Sequence, residues 1–326
     1  MKLFLILCLF AGVLPGYAQP LQVLGGRAQG TTWEVKCRHP VSLKAGVDSV
    51  LEAMDQCLSL YRNDSELSAF NRGISHRFRS PIFFEVLKKS EEIFRESDGL
   101  FDPTVLPLVE AYGFGASRKR TGADPDSLRQ WVGFGYIAYD ATSVRKKKEG
   151  VRLDFNGIAQ GYTVDLVGRY LEKKGVADYL VEIGGEIRCR GEKQPGKPWS
   201  IGIENPEHPG RNLATVPLKN RAMTTAGNYR SRYVADGQVY THIINPKTGL
   251  MEQSNLLSVT VLAPDAMTAD GYDTAFMVMG LERTRAFLAR HPELDAWLVY
   301  ADETGHLKTE ATDGLKAILS TETNPK

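Results

Sequence analysis

Cysteine is scarce in this sequence, with four in 326 residues, and the scarcity sets a first boundary on what the chain can be. Cys8 lies within an opening apolar run, which leaves Cys37, Cys57 and Cys189 as an odd, widely spaced set. Such a set does not form a disulfide framework, and without paired Cys or His spacing it does not form a zinc site. The three read as small buried hydrophobes. Net charge is equally lacking: 40 Lys+Arg face 39 Asp+Glu, so no global field draws in nucleic acid or an anionic membrane. Beyond the N-terminus no apolar run approaches the ~20 residues of a spanning helix. Internal repeats and low-complexity tracts are absent too, which sets repeat architectures aside.

What remains is the composition of a water-soluble globular chain with a real core, 42% hydrophobic and 24% charged. Lys2, the apolar run Leu3 to Val13 and the small residues of Gly16-Tyr17-Ala18 have the order of a secretory leader. Residues 1–18 are therefore assigned to a signal peptide and 19–326 to one domain, with a division into two lobes left open. The expected location is outside the cytoplasmic membrane, periplasmic or on its outer face, soluble after cleavage. A lipid anchor at Cys8 is disfavoured because no lipobox precedes it.

Apolar residues at 47, 50, 51, 54, 57 and 58 have helical periodicity. A second helix is expected from Pro81 to a stop near Gly99, a third over Gly161–Lys174, and two more over 266–280 and 281–290. The segment 117–126 reads as a solvated loop. Strand patterns fall at Tyr179–Ile183, Glu186–Arg190, Trp199–Glu204, Leu256–Ala263 and Ala296–Ala301. Helices and strands interleave without a βαβ rhythm. The fold class predicted is α+β, with largely antiparallel sheets and packed helices.

Three segments carry chemistry. In Asp265-Ala-Met-Thr-Ala-Asp270-Gly-Tyr-Asp273-Thr274, positions 270, 273 and 274 share one helix face. Two carboxylates and a hydroxyl are hard oxygen ligands that suit Mg²⁺ beside phosphates, whereas no His or Cys nearby invites zinc or copper. The competing reading is a cap at Asp265 followed by solvated acids. Against it stand the apolar neighbours Ala275, Phe276, Val278 and Met279, which predict a buried helix where unpaired acids would be costly. The second segment, Leu153-Asp154-Phe155-Asn156-Gly157-Ile158-Ala159-Gln160-Gly161-Tyr162, reads as a strand end, a glycine turn and a helix start, a place where backbone N–H groups favour phosphate. Asp154 there is equally a turn or cap residue. The third holds Met223 to Arg230 and then Tyr240-Thr-His242-Ile-Ile-Asn-Pro-Lys-Thr-Gly249. His242 is either a general base or a structural hydrogen-bonder.

Taken together these blocks resemble the FAD:protein FMN transferase family, known as the ApbE family. The resemblance also rests on Gly30-Thr31-Thr32-Trp33, on Leu60 to Ser68, on Phe101-Asp102-Pro103-Thr104 leading to Tyr112-Gly113-Phe114-Gly115, and on Ile183-Gly184-Gly185, all in order. It implies an ApbE-like, T-fold-related architecture and an enzyme that cleaves FAD with Mg²⁺, releases AMP and leaves FMN phosphodiester-linked to a Thr or Ser of an exported acceptor protein. Such acceptors would be membrane redox-pump subunits or extracytoplasmic flavoproteins. It further implies Asp270, Asp273, Thr274 and the Gly157 carbonyl as metal ligands and His242 as the base. FAD contacts would come from Gln29, Tyr61, Ala111, Tyr112, Gly113, Asp154, Gln160 and Ile244. Tyr61 and Tyr112 either stack on a ring of FAD or belong to the core. Three positions depart from the family pattern: Gln29 stands where Met is usual, Gln160 where Lys is common, and Ala226 where Ser is common. Water in place of the acceptor hydroxyl would make the chain an FAD pyrophosphatase, and a flavin-storage protein is the non-enzymatic alternative.

Overall fold

The computed structural model describes residues 20–319 apart from 117–119, 207, 209, 229–231, 236, 237 and 253. The leader assigned to 1–18 and the end of the Met223 to Arg230 block lie outside these residues.

Two tight turns organise the start of the sheet. Gln29 and Gly30, with φ of 51° and 75°, join the strands Leu21–Ala28 and Thr31–Arg38. Two consecutive positive φ values suit the right-handed twist of a two-residue hairpin. Gly184 and Gly185, with φ of 60° and 104°, join Tyr179–Ile183 to Glu186–Arg190 in the same way. The Gly184 N–H donates to the Thr32 carbonyl at 3.1 Å, so the two hairpin ends lie together.

These four strands and Ala222–Gly227, Leu256–Ala263, Asp295–Ala301 and Leu307–Ala311 form one eight-stranded sheet whose spatial order follows the chain. Every neighbouring pair is antiparallel. The join at the middle is narrow. Glu186–Arg190 meets Ala222–Gly227 only through Ala222↔Arg188 and Met223↔Ile187, whereas the other pairs run in register over most of a strand.

Helices cover one face. Lys44–Leu58 buries Val47, Leu51, Met54, Cys57 and Leu58, a single stripe at helical spacing. Ala159–Lys173 packs between it and the longest helix, Ala266–Leu288. That long helix opens at Asp265, whose side chain accepts the Thr268 N–H at 2.8 Å. It is buried nearly all round, and its dihedrals break at Gly280 (φ 73°, ψ 176°), so Ala266–Leu288 consists of two helical limbs meeting at Gly280, as expected for 266–280 and 281–290. Pro81–Glu96 packs against it. The opposite face of the sheet is closed by the hairpin Trp199–Glu204 and Asn212–Leu218, which encloses Leu180, Ile187, Cys189 and Val299. A small sheet of Ser75–Arg77, Ser143–Lys146 and Ile137–Tyr139 completes the described strands at the edge of the helical layer, together with the hairpin Arg232–Ala235 and Gln238–Thr241.

The α+β class with antiparallel sheets is the one the sequence predicts. Two local expectations are corrected. Residues 153–155 do not end a strand: the Asn71 side chain donates to the Leu153 carbonyl and accepts its N–H, both at 2.8 Å, and so replaces the ladder of a neighbouring strand. The stretch read as a loop up to Asp126 leads into a short helix, Pro125–Arg129, capped by Asp124. Cys37, Cys57 and Cys189 are free and buried. Burial pushes the thiols of Cys57 and Cys189 up to about 12 and about 11, which leaves them unreactive packing groups. Among the described residues no helix is long and apolar enough to cross a membrane.

Candidate active site

The acids of the long helix are not solvated. Asp270 is 4% exposed and Asp273 2%, and the helix turns both toward the start of Ala159–Lys173. Asp270 Oδ2 accepts the Gly161 N–H at 2.7 Å. Thr274 stands against the glycine turn: a Cβ on Gly157 would lie 3.0 Å from Thr274 Oγ1. The helix start, the turn and one helix face thus converge on a single small volume. Asp265 does cap its helix, as the competing reading required, yet the acids that follow are buried.

Electrostatics mark the pair as incomplete. Burial raises both carboxyls above their ordinary range, and the charge of Asp270 raises Asp273 further. Among the described residues neither is paired with a lysine or arginine. The Thr224 hydroxyl lies against Asp273 without completing a well-formed hydrogen bond. Two like charges in low dielectric strongly disfavour double ionisation unless a cation joins them. The donors on hand are two carboxylates and a hydroxyl beside a glycine turn, hard oxygens of the kind that hold Mg²⁺. The chemistry of Asp270, Asp273 and Thr274 fits such an ion.

Beside this cage stand two of the residues that depart from the pattern of the resemblance, Gln160 and Gln29. Gln160 Nε2 donates to the Ile183 carbonyl at 2.8 Å and leaves no room for a Cβ on Gly184. Gln29 Nε2 donates to Thr163 Oγ1 at 2.9 Å, while its Oε1 is buried without a partner. Both glutamines therefore tie the paired hairpin turns to the first turns of the Ala159–Lys173 helix. Asp154 is buried beside the same turn. Its Oδ1 accepts the Asn156 N–H at 2.8 Å, its own N–H donates to the Pro103 carbonyl at 2.7 Å, and burial raises its carboxyl to about 6.

A second group forms a rim. Ala111 ends the helix Leu106–Ala111, and Gly113 (φ 81°) follows it. Tyr112 Oη donates to the Gly249 carbonyl at 3.0 Å, fastening this turn to the loop of His242 and Ile244. Ile244 is buried and bridged to Met251. His242 is exposed, its ring edge-on to Phe114 at 6.3 Å. The Arg152–Glu110 ion pair, at 2.7 Å, joins the rim to the segment carrying Asp154. Tyr61 is 62% exposed, which removes the core reading for it. The structure does not bring Tyr61 or His242 into the buried cage; both stand at the surface. A groove lined by Phe94, Asp98, Gly99, Arg129, Pro246 and Lys247 contains none of the cage residues.

Sequence reasoning missed Thr224, Asn71 and Asp165. Asp165 is wholly buried in the Ala159–Lys173 helix; an acid between Val164 and Val167 on an apolar helix was the signal available.

These features define a class: an α+β protein built on one antiparallel sheet, with helices on one face and an acid pair held against a glycine turn. The sequence profile of the ApbE family matches residues 29–298, and the chain belongs to that family. The FAD:protein FMN transferase of Haemophilus influenzae is 33% identical over 320 residues, covering 91% of each chain. That of Vibrio cholerae is 34% identical over 323 residues, covering 94% of this chain and 96% of the relative. The solved flavin transferase ApbE from Vibrio cholerae matches with a TM-score of 0.82 at 32% identity, over 92% of this chain and 100% of that one. The apo form of the Pseudomonas stutzeri flavinyl transferase ApbE gives 0.83 at 30% identity, over 94% and 98%. The chain is an enzyme of this family.

Proposed function

We propose that this enzyme cleaves FAD with Mg²⁺ and transfers the FMN half to a Thr or Ser hydroxyl of an exported protein. In the balanced step the hydroxyl oxygen bonds to the FMN phosphorus, the bond from that phosphorus to the bridging oxygen breaks, and AMP departs with that oxygen. The observation that supports this reading is the pair of buried carboxylates on one helix face beside a glycine turn, neither paired with a lysine or arginine among the described residues, in a chain of the ApbE family.

When bound, Mg²⁺ supplies neutralisation of the diphosphate charge and orientation of its oxygens. The protein's own groups do the rest. Asp270 and Asp273 present ionised oxygens, and Thr274 and the Gly157 carbonyl complete the cage. His242, exposed on the rim, takes the acceptor's proton on an imidazole nitrogen, since a hydroxyl is a weak nucleophile until a base removes that proton. Its exposure suits a base that meets a second protein. Tyr112, anchored to Gly249, and Tyr61 offer ring faces to the flavin or adenine, and Gln29, Ala111, Gly113, Asp154, Gln160 and Ile244 surround the dinucleotide. The leader-like N-terminus supports placing this work outside the cytoplasmic membrane, on subunits of membrane redox pumps or other extracytoplasmic flavoproteins.

The test is incubation with FAD, Mg²⁺ and a candidate acceptor, followed by mass analysis for an FMN adduct and a nucleotide assay for AMP. An adduct with one AMP per transfer is the expected outcome. AMP and free FMN without adduct would move the assignment to a pyrophosphatase, and tight FAD retention without AMP to a storage protein.

A further inference from the structure

The two helices that build the cage cap one another. Ala159–Lys173 lacks a side-chain cap of its own at Ile158, and its Gly161 N–H is taken by Asp270 from the neighbouring helix. In return, Asp165 reaches from the second turn of Ala159–Lys173 to the first turn of Ala266–Leu288. Its Oδ1 accepts the Ala266 N–H at 3.0 Å and its Oδ2 the Met267 N–H at 2.8 Å. The helices approach so closely that a Cβ on Gly161 would fall 2.2 Å from the Ala266 carbonyl oxygen. Arg188, on the sheet strand beneath, neutralises Asp165 through Nη1 to Oδ1 at 2.7 Å and continues to Glu172.

We propose that Asp165 is a positioning residue of the metal site, fixing the axial position and rotation of the Ala266–Leu288 helix so that Asp270, Asp273 and Thr274 meet the Gly157 turn. The inference rests on the metal reading given above. Two carboxylate oxygens on two successive N–H groups define where the helix begins, and the ligands follow within two turns. Groups that orient metal ligands without touching the ion typically govern affinity by about 10–100-fold when lost. Arg188 has a different part: it keeps the buried charge of Asp165 affordable, and it touches none of the ligands.

The test uses the full chain and Mn²⁺ as the probe, with free ion followed by EPR and folding by thermal melting. Asp165→Asn keeps the shape but sets an NH₂ where an N–H needs an acceptor; it is expected to weaken Mn²⁺ binding by about tenfold and to lower stability. Asp165→Asn with Arg188→Met removes the stranded guanidinium as well. It is expected to regain stability while keeping the weakened Mn²⁺ affinity, and it carries the test alone if the single variant does not fold. Mn²⁺ binding within twofold of wild type in either folded variant would overturn the positioning role. A wild-type chain that binds no Mn²⁺ would remove the metal reading and this one with it.

Discussion

At the scale of single residues, the site is a place where stability is given up for charge. Asp273 is buried beside another acid with no cation among its described neighbours. Asp273→Asn is expected to stabilise the metal-free protein by about 1–2 kcal/mol, a rise in Tm of about 2–4 °C. The same variant should lose the further rise that Mg²⁺ gives the wild type. Thermal melting with and without Mg²⁺ reads both effects, and a destabilised metal-free variant would contradict the like-charge account. His242→Ala should retain FAD binding and slow transfer to the acceptor by about 10²–10⁴-fold; transfer at the wild-type rate would dismiss the base. The helical spacing of 270, 273 and 274 was legible in the sequence because a regular helix converts spacing into direction. Asp165, Thr224 and Asn71 were not, because each acts on a partner far along the chain: Asp165 on Ala266, Thr224 on Asp273, Asn71 on Leu153.

At the scale of elements, close approach decides which glycines matter. A Cβ on Gly161 would meet the backbone of Ala266 and the Cβ of Asp270, at 2.2 and 2.7 Å. Neither can move without parting the helices. Gly161→Ala is therefore expected to cost about 2–3 kcal/mol by overpacking. On the long helix, a Cβ on Gly271 would meet Ile93 Cδ1 at 2.3 Å, the far end of a flexible side chain, so Gly271→Ala should cost less than about 1 kcal/mol. Denaturant titration of the two variants ranks them, and equal costs would refute the distinction. Much at this scale was legible. The strands 179–183, 199–204 and 256–263 are rich in β-branched and aromatic residues, 186–190 alternates after a Gly-Gly joint, and Gly280 marked the break in the long helix. Leu21–Ala28 and Ala222–Gly227 carry glycine or alanine where strands usually carry bulk, and their neighbours in the sheet supply the ladder.

At the scale of the whole molecule, burial of acids sets the response to pH. Asp102, Asp154, Asp165, Asp270 and Asp273 are all raised by burial, Asp102 and Asp154 to about 6. A folded-state carboxyl raised above the unfolded value of ~3.9 binds more protons folded than unfolded between the two pKa values. Its contribution is complete below pH ~4 and is lost as pH rises through the folded value. Metal-free protein is thus expected to lose stability between about pH 4 and pH 7, with each group near 6 contributing up to about 3 kcal/mol. Asp302, held down to about 2 by Thr304 and backbone N–H groups, loses its contribution only below that window. Chemical denaturation across pH 4–8, with the metal chelated, checks the slope; a stability that climbs toward neutrality would contradict it.

The narrow middle join of the sheet gives a further expectation. Few ladder bonds cross it, so the amides of Ile187, Arg188, Ala222 and Met223 should exchange faster in metal-free protein than those of the flanking strands. They should slow on adding Mg²⁺, whose proposed holders come from both sides of the join: Gly157 before it, Asp270, Asp273 and Thr274 after it. Hydrogen exchange with mass detection resolves these segments, and protection unchanged by Mg²⁺ would count against a shared cage. That join also bears on how the enzyme comes into being. A nascent chain that stops short of its final quarter owns a turn with nothing to grip, so truncation yields an inert product and activity arrives only with completed synthesis.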